Sequence, residues 1–270
     1  MMLRNSLLVS SMLVNAEAWY KITKAELNLL ESIDVQFLKR VLKAPKCTPT
    51  EMLYLELGCI PFGYLIMKRR ILFLHYILNQ DKGSIINRFL VAQMRYQKKN
   101  DWISQVLSDL KKLDINEDLE TLKLMTKSQI KIRFDKLIKE NAFKELNMKK
   151  DSHSKVRNVM HKRFEMQTYL KANELKITQV EACEIFKLRC RVTNVKANYK
   201  GKFENIKCEL CNENEEENQE HIMSCKKLNK FENEKKTEYD EILKSNVKNQ
   251  IQIARKFIEN MKIRNQLIQV

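Results

Sequence analysis

Four residues with sulfur or imidazole side chains follow one another at metal-site spacing: Cys208, Cys211, His221 and Cys225. Zinc prefers four tetrahedral nitrogen or sulfur ligands, and two cysteines separated by two residues can both direct their sulfurs inward from a tight hairpin. His221 and Cys225 are four residues apart, so on a helix they project from one face. Because protein fills all four positions, the pattern predicts one structural zinc ion and no open position to activate water.

The residues between the two ligand pairs are acidic and include five glutamates: Glu213, Glu215, Glu216, Glu217 and Glu220. Carboxylates there would repel phosphate, so we expect the finger to dock against protein while its basic flank contacts nucleic acid. The alternative is that the three cysteines are merely buried thiols in chance order. The double ligand pair in a lysine-rich chain favours a metal site.

The stretch directly before the finger, residues 187–202, is basic and contains no acidic residue. Its cations are Lys187, Arg189, Arg191, Lys196, Lys200 and Lys202. Lysines and arginines would neutralise phosphates while Tyr199 and the following Phe203 stack on bases, as in single-strand binding. The alternative is a solvated helix end whose aromatic residues pack on the finger. A second group, Lys68, Arg69 and Arg70, either grips a nucleic-acid backbone or forms a solvated helix face.

Composition indicates a helical, cationic protein. The chain has 270 residues, enough for one large or two modest domains, with only 4 glycines and 3 prolines. Its net charge of +16 fits a polyanionic partner such as RNA, DNA or an acidic membrane surface. Seven cysteines, an odd number, argue against a disulfide framework and favour an intracellular location, in nucleus or cytoplasm.

The amino terminus allows two interpretations. Arg4, the apolar residues 7–14 and the small residues around Glu17 have the outline of a signal peptide, but they fit a buried helix equally well. Free thiols at the predicted zinc site favour the helix. No apolar run approaches the roughly 20 residues that span a bilayer, so no membrane association is predicted.

Capping signals predict the helices that must position these groups. Capping boxes at Thr23/Glu26 and Thr178/Glu181 open helices, the first of which runs through Lys43. Thr48, Pro49 and Glu51 predict a short helix ended by Gly58, and Pro61 opens another through Leu78. Further helices are expected at 85–98, 102–113 and 127–146, the first two capped by Ser84 and Asp101.

Polar residues between 149 and 163 indicate a linker or a loosely held surface segment, where we expect a domain boundary. His153 and His161, which lie within it, are expected to be surface histidines. Cys183 and Cys190, seven residues apart, are expected to be core thiols. The only strand structure expected is a short hairpin around Cys208 and Cys211. Residues 226–269 predict one or two exposed helices.

The order of several segments resembles that of non-LTR retrotransposon reverse transcriptases, particularly jockey-like elements. In the first half the similar strings are SLLVSSMLVNAEAW (6–19), LNLLESIDVQFLKRVLKAPKCTPTEMLYLELGCIP (27–61) and IMKRRILFLHYIL (66–78). In the second half they are MQTYL (166–170), IFKLRCRVTNVKANYKGK (185–202), CELC (208–211) and EHIMSC (220–225). From the first string to the last the resemblance runs from residue 6 to residue 225, and so extends over nearly the whole chain.

The resemblance implies a mainly α fold: a helical thumb and connector bundle, then a small CCHC zinc finger with a short β-hairpin and terminal helices. The expected regions are a thumb-like 1–100, a connector 101–150, a basic helical segment 151–206, the finger 207–228 and carboxy-terminal helices 229–270. The implied function is binding of template RNA or target DNA.

One departure from the family concerns catalysis. Polymerisation needs paired carboxylates that hold two metal ions, and no two aspartates are adjacent in this sequence. We therefore expect no polymerase activity from this chain alone, with a polymerase core in trans as a further partner. The alternative function is a zinc-finger scaffold that binds proteins and has no nucleic-acid role.

Overall fold

The computed structural model describes residues 2–96, 98, 101–115, 118–171, 176–211, 213–229 and 246–268. Over these residues the protein is mainly helical, as predicted. The helices of the first half are α1 (Ser10–Met12), α2 (Lys24–Val41), α3 (Thr50–Leu57), α4 (Phe62–Leu78), α5 (Ile85–Tyr96) and α6 (Trp102–Lys112). Those of the second half are α7 (Leu119–Leu124), α8 (Lys127–Asp151), α9 (Gln179–Cys190), α10 (Gln219–Ser224) and α11 (Val247–Ile268).

The predicted helix starts are mostly present, because each depends on a contact within three residues. Thr178 and Glu181 form a complete capping box before α9, and Asp101 accepts a hydrogen bond from the Ser104 amide at 2.9 Å. At α3 the expected Thr48 cap is wrong: the helix begins at Thr50 after Pro49, with no side-chain cap bond. Helix α2 ends at Val41 rather than Lys43, whereas α8 continues to Asp151 rather than 146.

The expected β-hairpin at the finger is reduced to one antiparallel bridge, between Lys207 and Glu216. A second isolated bridge joins Leu57 to Met166, and the described residues form no sheet. At the finger the ladder ends after the bond from the Cys208 amide to the Glu215 carbonyl, at 2.9 Å. Beyond this hydrogen bond the chain turns, and the sulfurs of Cys208 and Cys211 lie close together instead of on the two faces of a strand.

The chain divides into two compact units, one of Met1–Phe37 with Cys59–Asn147 and one of Leu38–Gly58 with Met148–Val270. No pattern in the sequence indicated that residues 38–58 would group with the carboxy-terminal half. The division falls within α2 and within α8, so both units contain part of each helix.

The first unit contains two hydrophobic clusters. The larger gathers buried residues of α4, α6 and α8, among them Leu74, Val106 and Phe134. The smaller packs Leu13 and Ala16 against α4. Two buried ion pairs accompany them: Arg4 donates to both carboxylate oxygens of Asp34, at 2.7 and 2.6 Å, and Arg70 lies 3.0 Å from Asp109.

In the second unit α9 lies along α11, and α10 also contacts α11. Cys183 and Cys190 are buried, as expected for core thiols, and burial raises the pKa of both. The expectation of exposed carboxy-terminal helices is wrong for α11, because Ala254 and Phe257 are almost completely buried. The part of that expectation that concerns residues 230–245 lies outside the described residues.

No helix in the described ranges is both long and apolar enough to cross a bilayer.

Candidate metal centre and basic surface

The structure brings the four predicted ligands together in one buried cluster. One ligand atom from each of Cys208, Cys211, His221 and Cys225 lies within 4.8 Å of the others. All four side chains are buried, and the Sγ of Cys211 is 3.4 Å from the Nε2 of His221. Such a cluster could hold a metal ion.

Two local elements produce this convergence. The turn from Cys208 to Cys211 follows the bridge of Lys207 with Glu216, which orients both sulfurs toward α10. Helix α10 is capped by Asn218, whose side-chain oxygen accepts from the His221 amide at 2.7 Å. His221 therefore sits in the first turn, and Cys225 follows the last residue of the helix.

A carboxylate orients the histidine. The Nδ1 of His221 lies 2.8 Å from an oxygen of Glu215, so Nε2 is the atom left to face the thiols. Metal-bound histidines usually donate their second ring nitrogen to such a carboxylate, which fixes the tautomer. From the sequence, Glu215 was identified only as part of an acidic spacer. Its position six residues before His221 was the feature that could have indicated this contact.

The donor set is compatible with a metal ion. Burial raises the pKa of Cys208 and raises that of Cys225 to about 12, where the neighbouring thiols also disfavour a charge. A bound cation would reverse this preference, because thiolates rather than thiols are metal ligands.

The finger contacts the rest of its unit through hydrogen bonds to Glu217, whose side chain is fully buried. Arg264 of α11 binds both oxygens of this carboxylate, at 2.9 and 2.6 Å. The Lys196 amide donates to the same side chain at 3.1 Å. Asn260 of α11 also donates to the Ile222 carbonyl of α10 at 2.9 Å. Docking of the finger on protein therefore uses specific polar contacts.

The predicted basic stretch 187–202 is largely engaged in ion pairs within its own unit. Arg191 lies 2.7 Å from Glu220, and Lys200 lies 3.2 Å from Glu216. The buried Lys196 ammonium is 2.5 Å from Glu209, close enough for an ion pair although its direction does not satisfy a hydrogen bond. In all three pairs a finger carboxylate neutralises a flank cation.

The remaining members of the stretch differ in exposure. Lys187 pairs with Glu184 at 3.1 Å, and Arg189 is buried against Glu56 at 2.9 Å. The exposed Lys202 lies over the Tyr199 ring, 5.6 Å from its centroid. Surface positions therefore remain at Lys200 and Lys202, with Tyr199 half-buried beside them.

The second predicted group of cations is held by the first unit. Lys68 pairs with Asp135, and Arg69 donates to the Leu13 carbonyl. Arg70 is almost completely buried and donates to the Trp19 carbonyl at 3.1 Å as well as to Asp109. The structure therefore gives Arg70 an internal partner, and of this triplet only Lys68 and Arg69 are partly exposed.

Sequence reasoning missed a buried ionic network around Glu56. This carboxylate receives Arg189 and His161 on Oε1, each at 2.9 Å, and the Tyr169 hydroxyl on Oε2 at 2.6 Å. Burial alone would raise the pKa of Glu56, but Arg189, His161 and Tyr169 outweigh it and lower that pKa to about 2. The His161 side chain is fully buried, so its expected surface position is wrong.

In comparisons with protein-family models, curated proteins and solved structures, none matches this chain.

Proposed function

We propose that this chain is a non-catalytic nucleic-acid-binding protein whose carboxy-terminal finger is folded by one structural zinc ion. In this proposal it is the carboxy-terminal part of a non-LTR retrotransposon reverse transcriptase, working in the nucleus or cytoplasm, with a polymerase core in trans as a further partner. The observation that carries the proposal is the buried cluster of three thiols and one imidazole.

The geometry of the cluster favours zinc. With zinc–sulfur bonds of about 2.3 Å, tetrahedral ligand atoms lie roughly 3.8 Å apart. The four ligand atoms lie within 4.8 Å of one another, so small side-chain movements would bring them to tetrahedral zinc distances. A soft donor set of this kind selects zinc over the hard cations magnesium and calcium.

The nucleic-acid role draws on charge and on the segment order described above. A net charge of +16 produces a field that attracts polyanions, and counterion release would supply most of the binding energy. Lys200 and Lys202 are exposed cations, and Lys202 lies over the aromatic ring of Tyr199. Template RNA and target DNA are the ligands that the retrotransposon resemblance suggests.

Two measurements on the full chain test this proposal. Metal analysis should find one zinc per chain, which Cys208→Ser/Cys211→Ser should lose and which Cys47→Ser, at an exposed cysteine, should retain. Binding to single-stranded RNA should weaken steeply as salt rises. A metal-free wild-type protein, or RNA binding that does not change with salt, would contradict the corresponding half of the proposal.

A second candidate function is a protein-binding scaffold, favoured by the pairing of finger carboxylates with flank cations. Arg191, Lys196 and Lys200 all face glutamates of the finger, which reduces the positive charge that this flank offers to phosphate. Recovery of partner proteins after thorough nuclease treatment, together with no shift of RNA or DNA in a gel, would favour the scaffold.

A further inference from the structure

A cleft of about 800 Å³ opens in the second unit, and its lining includes none of the four metal-site residues. Its walls come from the segment 154–169, from the carboxy-terminal end of α9 and from the start of α11. A concavity of this size is typical of a ligand site rather than of a packing defect.

The lining of the cleft is strongly cationic. Among the described residues it contains Lys155, Lys162, Arg163, Arg189 and Arg191 against one carboxylate, that of Glu165. Val247, the first residue of α11, also lines the cleft, so the positive end of a 22-residue helix dipole adds to the field there.

These cations differ in the ion pairs and hydrogen bonds that they already form within the chain. Arg189 is committed to Glu56, Arg191 faces Glu220, and Lys155 donates to the side chain of Asn198 at 3.2 Å. Lys162 and Arg163 are exposed and form no ion pair or hydrogen bond with any part of the chain that the structure describes. The two adjacent cations are therefore available to an outside anion.

The rest of the lining suits a base better than a second phosphate. Val159, Met160 and Val247 supply apolar surface, and Met160 is 70% exposed. Gln167 and Gln250 add amide groups that can donate and accept hydrogen bonds. A ligand in which anionic groups alternate with flat apolar groups matches this mixture of cationic, apolar and amide side chains.

The apolar part of the lining favours one strand over two. The bases of a duplex are stacked inside it and would not reach the apolar wall, whereas those of a single strand can turn outward.

We propose that this cleft binds single-stranded nucleic acid, with Lys162 and Arg163 neutralising adjacent phosphates and the wall around Met160 contacting a base. The inference rests on the proposed nucleic-acid function and assigns the phosphate contacts to Lys162 and Arg163 rather than to the stretch 187–202, of which Arg189 and Arg191 also line the cleft. In that stretch, three cations are paired with finger glutamates, whereas Lys162 and Arg163 are not.

The test is the salt dependence of binding of the full chain to a fluorescein-labelled 15-nucleotide polyuridine RNA. Lys162→Gln/Arg163→Gln should weaken binding at least tenfold. It should also reduce the slope of log affinity against log salt by about 1.4, because each single-strand phosphate contact contributes about 0.7. The matched control is Lys111→Gln/Lys112→Gln, an adjacent exposed pair in the first unit with the same change of charge, which should leave the slope unchanged.

Three outcomes separate this inference from the function on which it depends. A wild-type protein that does not bind polyuridine contradicts both. Wild-type binding that falls equally in the two double variants keeps the nucleic-acid function and rejects the cleft. A slope reduced by Lys200→Gln/Lys202→Gln, but not by Lys162→Gln/Arg163→Gln, would place the phosphates on the stretch 187–202 instead.

Discussion

Glu215 accepts a hydrogen bond from His221 at 2.8 Å, on the side of the imidazole opposite the thiols. This contact fixes the ring before any metal arrives. The remaining nitrogen, Nε2, then has its lone pair directed at the position where three sulfurs converge.

Glu215→Gln should weaken zinc binding by about 10- to 100-fold without abolishing it, because an amide orients the ring but does not raise its basicity as a carboxylate does. Competition with a chromogenic chelator measures this affinity. The matched control is Glu216→Gln, at the neighbouring glutamate that pairs with Lys200 at the surface. An equal loss in both variants would show that general acidity, not orientation of His221, sets the affinity.

Arg264→Ala should destabilise the second unit by about 3–5 kcal/mol, because it leaves the fully buried Glu217 carboxylate without its bidentate partner. Denaturant unfolding measures the change. Arg255→Ala is the control: Arg255 also pairs with a glutamate, Glu181, but its side chain is 60% exposed, so the expected cost is below about 1 kcal/mol. Similar costs for the two variants would contradict the structural role of Glu217.

Glu56 should make stability depend on acid pH. Its folded pKa of about 2 lies below the unfolded value of 4.5, so its stabilisation is complete above pH 4.5 and is lost as pH falls toward 2. The shift corresponds to about 3 kcal/mol. Glu56→Gln should be less stable than wild type at pH 7, and this difference should shrink through that window.

Urea unfolding of the full chain at a series of pH values measures the effect of Glu56, because any loss of zinc at low pH is common to the wild type and the variant and cancels in their difference. Glu120→Gln, at an exposed position, serves as the control and should show no such narrowing. A Glu56→Gln difference that stays constant from pH 5 to pH 2 would contradict the network described here.

Gly58→Ala should strongly destabilise the second unit. Gly58 has φ of +60°, and a Cβ atom there would lie 2.5 Å from both the Glu165 carbonyl carbon and the Met166 nitrogen. The left-handed conformation alone costs about 1–2 kcal/mol, and the clash with backbone adds to that cost. Gly83→Ala is the control, because a Cβ there meets nothing within 4 Å. Thermal unfolding followed by circular dichroism compares the two variants.

Local features of this protein could be predicted from its sequence because their partners are close along the chain. The capping box of Thr178 and Glu181 closes within three residues, and the four metal-site residues fall within one turn, one short helix and the residue directly after that helix. The bridge at Lys207 shows the limit of such reasoning, because the cysteine spacing predicted the bend but not how little ladder would accompany it.

Long-range charge pairing could not be predicted in the same way. Glu56 and Arg189 are 133 positions apart, and nothing near either residue indicates that they meet. Arg70 has two cationic neighbours in sequence, which suggested a solvent-facing patch, yet its own side chain turns inward to Asp109. A run of like charges on a helix covers more than one face, so the run alone does not identify which member is buried.

The ion pair between Arg264 and Glu217 has a consequence for the production of shortened recombinant fragments. The candidate metal ligands end at Cys225, but the cation that compensates the buried glutamate is supplied 39 positions later, in the last helix described. We expect recombinant fragments cut just after the ligands to take up zinc poorly and to aggregate. The last helix would have to leave the ribosome before the finger could reach its final form.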